Sequence, residues 1–427
     1  MTFQLKKMLP KNVFVRNVLT LMTGTTIAQA IPIAISPILT RIYKPEDLGL
    51  LAIYMSLVSI LAVIATFRYE LAIILPEKDE EAVNIIALSL IITIGLSFII
   101  LIMVWLFNEP ITYLLGNPQI SNWLYFVPIT VFLTGVYQTF NYWSNRKKRY
   151  KRLAISKVSQ TGTTAAIHLG LGLSGLGIIG LIMGVIFGQG VATCILFFQG
   201  WREDKSRKTH INTSQIWKQA KIHKNFPKIN MGHSIVDNIN NNGTIFLLNY
   251  FFSSSIVGYY SLMMRVLYTP VTIIGNAITQ VFYQKTADLF NKGENIKPAI
   301  LKLLIKLVFI ALVPTLLLIF FSPSLFAFVF GENWRIAGEY TKILVPYMFF
   351  HFLVSPLAFV PLILKKQLQA FLFSLIGNLL YLISIFYAGF NNNLTVGLQS
   401  ISVLLSIYFI IYIIWIIFES GRKEGNK

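Results

Sequence analysis

The chain has 427 residues, of which 55% are hydrophobic and only 12% charged, with a formal net charge of +19. A soluble domain carries about 25% charged residues, so this composition excludes a water-soluble enzyme; long apolar runs from end to end mark a polytopic membrane protein. One cysteine, Cys194, excludes a disulfide framework and a cysteine-based metal site.

The first segment has the outline of a signal peptide: a basic start, an apolar stretch and Ala-Gln-Ala at 28–30. Arg16 and Asn17 interrupt the apolar stretch, and it continues to Leu39, so it reads as a full-length span. Runs of about 20 residues, enough to cross about 30 Å of hydrocarbon, fall near 17–39, 48–67, 84–107, 123–143, 154–173, 178–199, 229–252, 258–283, 299–321, 339–364, 370–389 and 395–418. Membrane strands would alternate over about ten residues instead. The expected fold is therefore an all-α integral membrane protein with about twelve transmembrane helices.

Lysine and arginine fix the orientation. With the N-terminus inside, 31 of the 36 lie in inside segments, four (Arg41, Lys44, Arg335 and Lys342) lie at outside ends, and Arg265 sits within a span. This asymmetry predicts a plasma-membrane protein with both termini cytoplasmic. It also explains the net charge by the anionic leaflet and removes the reason for a nucleic-acid partner. The longest outside loop, 322–338, is short. The largest inside segment, 200–228, contains "SQIWKQAKIHKNF", expected to form a short basic helix on the membrane surface. No segment could form a separate catalytic domain. No GxxxxGK[ST], HExxH, GxSxG or metal cluster is present, so no catalytic residue, metal or cofactor is assigned.

The chain repeats itself. "RIYKPEDLGLLAIYMSLVSI" (41–60) aligns with "YFFSSSIVGYYSLMMRVLYT" (250–269), bringing Gly49 onto Gly258. "LLGNPQISNWLYFVP" (114–128) aligns with "VFGENWRIAGEYTKILVP" (329–346). The matches predict two six-helix lobes of the same orientation: 1–199, a cytoplasmic linker 200–228, and 229–427. Parallel repeats of this kind place a substrate site in a central cavity between the lobes.

Four spans carry polar stripes at helical spacing. The seventh, with "DNINNNGT" at its centre, carries Asn230, His233, Ser234, Asp237, Asn238, Asn241 and Thr244. The eighth carries Ser261, Arg265, Tyr268, Thr269, Thr272, Asn276, Thr279, Gln280 and Tyr283. The first carries Thr25, Gln29, Ser36 and Thr40, with Pro32 and Pro37 as kink points, and the fifth carries Lys157, Gln160, Thr161, Thr164 and His168. Serine and threonine alone read equally well as contacts between helices. A charge at mid-membrane costs about 2.5–3.5 kcal/mol and marks a pathway, which singles out Asp237 and Arg265. The expected cavity residues are Arg265, Asp237, Asn241, Asn276, Thr272, Gln29, Thr25, His168 and Arg41. His168 also reads as a hydrogen-bonded bundle residue, and Arg41 as an interfacial anchor.

The segments "GTTIAQAIPIAISPILTRIYKPEDLGLLAIY", "RYELAIILPEKDEEA", "WSNRKKRYKRLAISKVSQ", "NYFFSSSIVGYYSLMMRVLYTPVTIIGNAITQVFYQKTA" and "FGENWRIAGEYTKILVPYM" resemble the bacterial Wzx-type polysaccharide flippases of the multidrug/oligosaccharidyl-lipid/polysaccharide exporter superfamily. The resemblance runs in order over nearly the whole chain. It implies two lobes around a V-shaped cavity, alternating access, and an undecaprenyl-pyrophosphate-linked oligosaccharide as substrate, the repeat unit of an O-antigen, capsule or exopolysaccharide. It further implies work among membrane lipids beside a polysaccharide polymerase and its chain-length machinery. The sequence leaves a proton or sodium gradient open as driving force. Alternative readings are a multidrug cation antiporter of the same superfamily and a membrane-embedded polysaccharide polymerase or ligase.

Overall fold

Each of the twelve apolar runs is realised as a helix. The computed structural model describes residues 13–203 and 211–421, with the side chains of residues 13–19, 201, 203, 240, 276, 277 and 280 outside that description. The helices are α1 (Val13–Ile42), α2 (Pro45–Ile64), α3 (Asp79–Leu115), α4 (Val127–Arg146), α5 (Tyr150–Leu173), α6 (Ile178–Glu203), a short α7 (Thr213–Ile222), α8 (Met231–Phe251), α9 (Ser254–Asn291), α10 (Lys297–Phe330), α11 (Arg335–Val354), α12 (Gln367–Phe390) and α13 (Leu394–Gly421). Leaving out α7, twelve long helices occupy the twelve predicted spans.

Apolarity divides these helices in an informative way. Among the described residues, eight are long and apolar enough to cross a membrane, and a ninth is α4 with the short helical segment before it, bent by 51°. The other three are α5 and, each with side chains outside the description, α8 and α9. They coincide with three of the four stripe-bearing spans. Their polar faces are too extensive for lipid on all sides.

The chain forms two compact units, Met1–Tyr250 and Phe251–Lys427. The sequence reading begins the second lobe at residue 229; by compactness, nearly all of α8 groups with the first unit. In the first unit, α5 packs along α1 and α6, while α3, α4 and α6 enclose a core built around Ile85, Ile86, Phe140, Trp143, Leu153 and Leu196. A second, smaller core joins Leu39, Tyr43 and Leu181. In the second unit, α11 is central, packed against α9, α10 and α13. Trp334, Phe326, Leu344, Leu398 and Ile401 are buried there.

The units repeat their chain breaks. α3 ends at Gly116 (φ +67°) and α10 at Gly331 (φ +103°), each followed by one 3₁₀ turn and the next helix. Glycine enters this region without the steric penalty of a Cβ. Lys148 and Lys365, both left-handed, precede α5 and α12. Gly175 and Asn392, left-handed again, follow α5 and α12. Both of the last two pairs are 217 residues apart, so the weak sequence repeat is a structural one.

Candidate functional site

In the first unit, the α5 stripe forms a polar chain. Lys157 Nζ donates to Gln160 Oε1 (3.1 Å), and Gln160 Nε2 donates to Gln189 Oε1 on α6. Gln189 is buried, and its Nε2 has no hydrogen-bond partner among the described residues. Lys157 itself is exposed. The close approach of α5 and α6 is made possible by glycine: a Cβ at Gly188 would lie 1.9 Å from Thr164 Oγ1. Lys157 and Gln189 were absent from the expected cavity residues. The lysine stood one turn before Gln160 and Thr161, and the distant Gln189 carried no signal.

His168 sits deeper on the same helix and is buried. Its Nε2 hydrogen-bonds the Leu181 carbonyl at 2.9 Å, and its own carbonyl accepts from the Tyr43 hydroxyl at 2.6 Å. His168 thus joins α1, α5 and α6, the bundle reading rather than the cavity one. Thr25 is half-buried and turns back on its own helix, donating to the Leu21 and Met22 carbonyls (3.0 and 2.9 Å). Gln29 and Arg41 are exposed.

On α8 the stripe is real. Asn230, His233, Asp237 and Asn241 are exposed, whereas Thr244 is buried. Asp237 Oδ2 lies 3.0 Å from His233 Nδ1, one turn earlier. The aspartate therefore has a titratable partner on its own helix, which the i,i+4 spacing allowed and the sequence reading did not use. Asn238 and Asn242 donate to the Ser234 and Asn238 carbonyls, each at 3.0 Å. They satisfy the backbone of the polar side rather than crossing to another helix.

In the second unit, Arg265 and Thr272 are exposed on α9. Thr272 Oγ1 donates to the Thr269 carbonyl at 3.0 Å. The Asn276 side chain lies outside the described residues. Pro270 lies within the continuous helix between Arg265 and Thr272. Turned inward from the same helix, Tyr268 of the stripe belongs to an aromatic cluster whose other members carry no periodic signal. The hydroxyls of Tyr268 and Tyr347 share a hydrogen bond (2.7 Å), and those of Tyr260 and Tyr381 share another. The His351 ring lies 5.3 Å from Tyr268 and 5.5 Å from Phe409, with its Nδ1 buried and lacking a hydrogen-bond partner among the described residues. A lone histidine among apolar residues gives no periodic signal.

At the end of the first unit where basic residues concentrate, Glu70 is buried against Thr66 and Arg68, with Arg68 Nη1 3.1 Å from Glu70 Oε1. Burial pushes the Glu70 carboxyl above the usual carboxylate range, against the pull of Thr66 and Arg68. No group of three or more His, Cys, Asp or Glu side chains that could hold a metal occurs among the described residues. The exposed polar faces offer amides, hydroxyls and two kinds of cation, Lys157 and Arg265. Those are groups for binding hydroxyls and anions.

The fold is that of transporters of the superfamily named in the solved structures it matches. A lipid II flippase, MurJ, in an inward closed conformation matches with a TM-score of 0.66 and 15% identity, over 95% of this chain and 88% of that one. An inward-facing multidrug resistance MATE family transporter of the MOP superfamily matches at 0.65 and 13%, over 94% and 96%. A MOP superfamily transporter from Pyrococcus furiosus, described as having a binding pocket of reversed polarity, matches at 0.51 and 15%, over 96% of each chain. No curated protein sequence matches. Residues 38–338 match the family described as polysaccharide biosynthesis protein, and the chain belongs to that family. It is a multi-pass membrane protein with the fold of a MOP-superfamily transporter.

Proposed function

We propose that this protein flips lipid-linked oligosaccharides, in chemistry undecaprenyl-pyrophosphate-linked repeat units, from the cytoplasmic to the outer leaflet of the plasma membrane by alternating access. The pathway served is that of an O-antigen, capsule or exopolysaccharide. The observation that carries the reading is the run of amide, hydroxyl and cationic side chains at helical spacing on α5, α8 and α9, exposed at Lys157, Asn230, Asp237, Asn241, Arg265 and Thr272. A pyrophosphate and several sugars cannot cross hydrocarbon unaided, because each polar group would leave water unpaired. Polar faces reached from both leaflets in turn remove that barrier while the lipid tail stays in the bilayer. Arg265, whose guanidinium suits phosphate oxygens two at a time, takes the pyrophosphate; in the first unit Lys157 is a further exposed cation. Asn241, Thr272, Asn276, Gln29 and Thr25 take sugar hydroxyls. Asp237, held by His233, sets the charge of the polar face or couples it to an ion gradient. No covalent bond is made or broken in this cycle, so the protein works as a carrier rather than as an enzyme.

Family membership supports this reading over cation export; the fold is shared by flippases and exporters alike. The experiment is depletion of the protein followed by lipid analysis. A lipid-linked oligosaccharide trapped on the cytoplasmic leaflet, released on re-expression, is the expected result. An unchanged leaflet distribution together with lost efflux of a lipophilic cation would replace the reading by the antiporter one.

A further inference from the structure

The linker helix α7 is docked by one side and bare on the other. Its N-cap, Asn212, accepts from the Ser214 amide (2.8 Å) and fixes where the helix starts. Its inner side is tied to the first unit at three points. Tyr69 Oη donates to the Ala220 carbonyl (3.1 Å), the Asn212 amide donates to Asn84 Oδ1 (3.0 Å), and Gln219 is buried. His223 follows on this inner side, where burial holds its imidazole below its usual range and Glu81 opposes that. Glu81 thus acts on the docked side.

The outer side includes Ser214, Trp217, Lys218, Lys221 and Ile222, all exposed. At 100° per residue these five fall within one arc. Ser214, Lys218 and Lys221 occupy its middle, with Trp217 at one margin and Ile222 at the other. Trp217 is 66% exposed and Ile222 57%. An apolar rim around a basic centre is the pattern of a helix lying in the headgroup layer. Chain geometry sets the same depth. Asn84 lies five residues into α3, and three residues after α7 the chain enters the turn Phe226–Asn230, which runs directly into α8. Both tethers hold α7 where membrane helices begin, on the side to which the basic residues assign the anionic leaflet.

We propose that the outer face of α7 is a binding surface for anionic phospholipid headgroups. Lys218 and Lys221 contact the phosphates, and Trp217 and Ile222 enter the boundary between headgroups and acyl chains. This depends on the membrane reading and not on which substrate is flipped. Each lysine near an anionic surface contributes about 1 kcal/mol, so the pair sets a preference of about thirtyfold for anionic over zwitterionic lipid.

The test uses the full-length protein carrying Cys194→Ser and Ser214→Cys, labelled with bimane and reconstituted in phosphatidylcholine vesicles. Phosphatidylglycerol or phosphatidylcholine bearing a headgroup-level nitroxide is then titrated in. Against the phosphatidylcholine background, a preference of about thirtyfold brings the anionic quencher to half-quenching at a mole fraction about fifteenfold lower than the zwitterionic one. The double variant Lys218→Gln/Lys221→Gln should bring the two curves together, without a change in thermal stability, because both side chains are exposed. Equal curves in the parent protein, an unaltered preference in the double variant, or quenching by a spin-labelled second copy in place of lipid would each overturn the proposal.

Discussion

Asn117 and Asn249, 132 residues apart, meet in a buried side-chain hydrogen bond: Asn117 Nδ2 donates to Asn249 Oδ1 at 3.3 Å. Asn249 Nδ2 in turn donates to the Leu115 carbonyl, one of the acceptors left open where α3 ends. Asn117 Oδ1 is occupied by the Gln119 amide at 3.0 Å. Gly116 brings the segment this close: a Cβ there would stand 3.4 Å from Tyr250 Cα. The end of α8 is therefore pinned to the connection after α3 by a small polar network. Asn249→Ala leaves the Leu115 carbonyl and Asn117 Nδ2 buried without this partner. The expected cost is about 1–3 kcal/mol, read as a lowered thermal midpoint in detergent. Asn391→Ala, at an exposed site, is the control and should change nothing measurable.

Arg146 predicts a second structural result. Its Nε is 3.0 Å from Asp79 Oδ1, its Nη1 donates to the carbonyls of Ile73, Ile74 and Pro76, and its Nη2 to that of Glu77. One guanidinium thus closes the whole connection between α2 and α3. Lysine has neither the planar fork nor the reach to hold four carbonyls. Arg146→Lys should therefore lose nearly as much stability as Arg146→Ala, about 3 kcal/mol. A lysine variant as stable as the parent would show that charge alone holds this connection.

Orientation is testable by surface labelling in a Cys194→Ser background. In the connection after α3, Asn117 is buried and its neighbour Gln119 exposed, so Gln119 is the position for a probe. Cysteine at Gln119 or at the exposed Glu332 should react with an impermeant thiol reagent added outside. Cysteine at the exposed Lys148 should react only after the membrane is opened. Outside labelling of the Lys148→Cys protein would reverse the topology.

What could be read in advance follows from how the information is stored. Helix positions were legible because an apolar run long enough to span a membrane has one physical solution. The repeat was legible at Gly116 and Gly331 because helix ends of this kind need a residue tolerant of positive φ. The stripes on α5, α8 and α9 were legible because their period is helical. Contacts distant in sequence were not. Arg146 reads as one more inside charge, yet it serves backbone carbonyls; Asn117 lies in the short connection after α3, yet it is buried against α8. His351 was invisible because its partners, Tyr268 and Phe409, arrive from other helices. His168, readable in two ways, is placed by Leu181 and Tyr43, neither of which the stripe could name.

Arg265 carries the prediction on function. It is exposed on α9, a helix too polar to face lipid all round. If it holds pyrophosphate oxygens, Arg265→Gln should lose a charge-assisted contact of about 1.5–3 kcal/mol. That is a fall of roughly ten- to a hundredfold in affinity for the lipid-linked substrate, at an unchanged protein level. Arg265→Lys should recover only part, since a point charge does not replace the two-pronged contact. Asp237 has His233 as partner on its own helix, so Asp237→Asn should act independently, and the double variant Asp237→Asn/Arg265→Gln should flip no better than Arg265→Gln alone. Flipping is measured as the appearance of outer-leaflet oligosaccharide in cells carrying each variant at matched protein level. Recovered flipping in the double variant would mean that the two charges answer each other, and would remove Arg265 from the substrate's path.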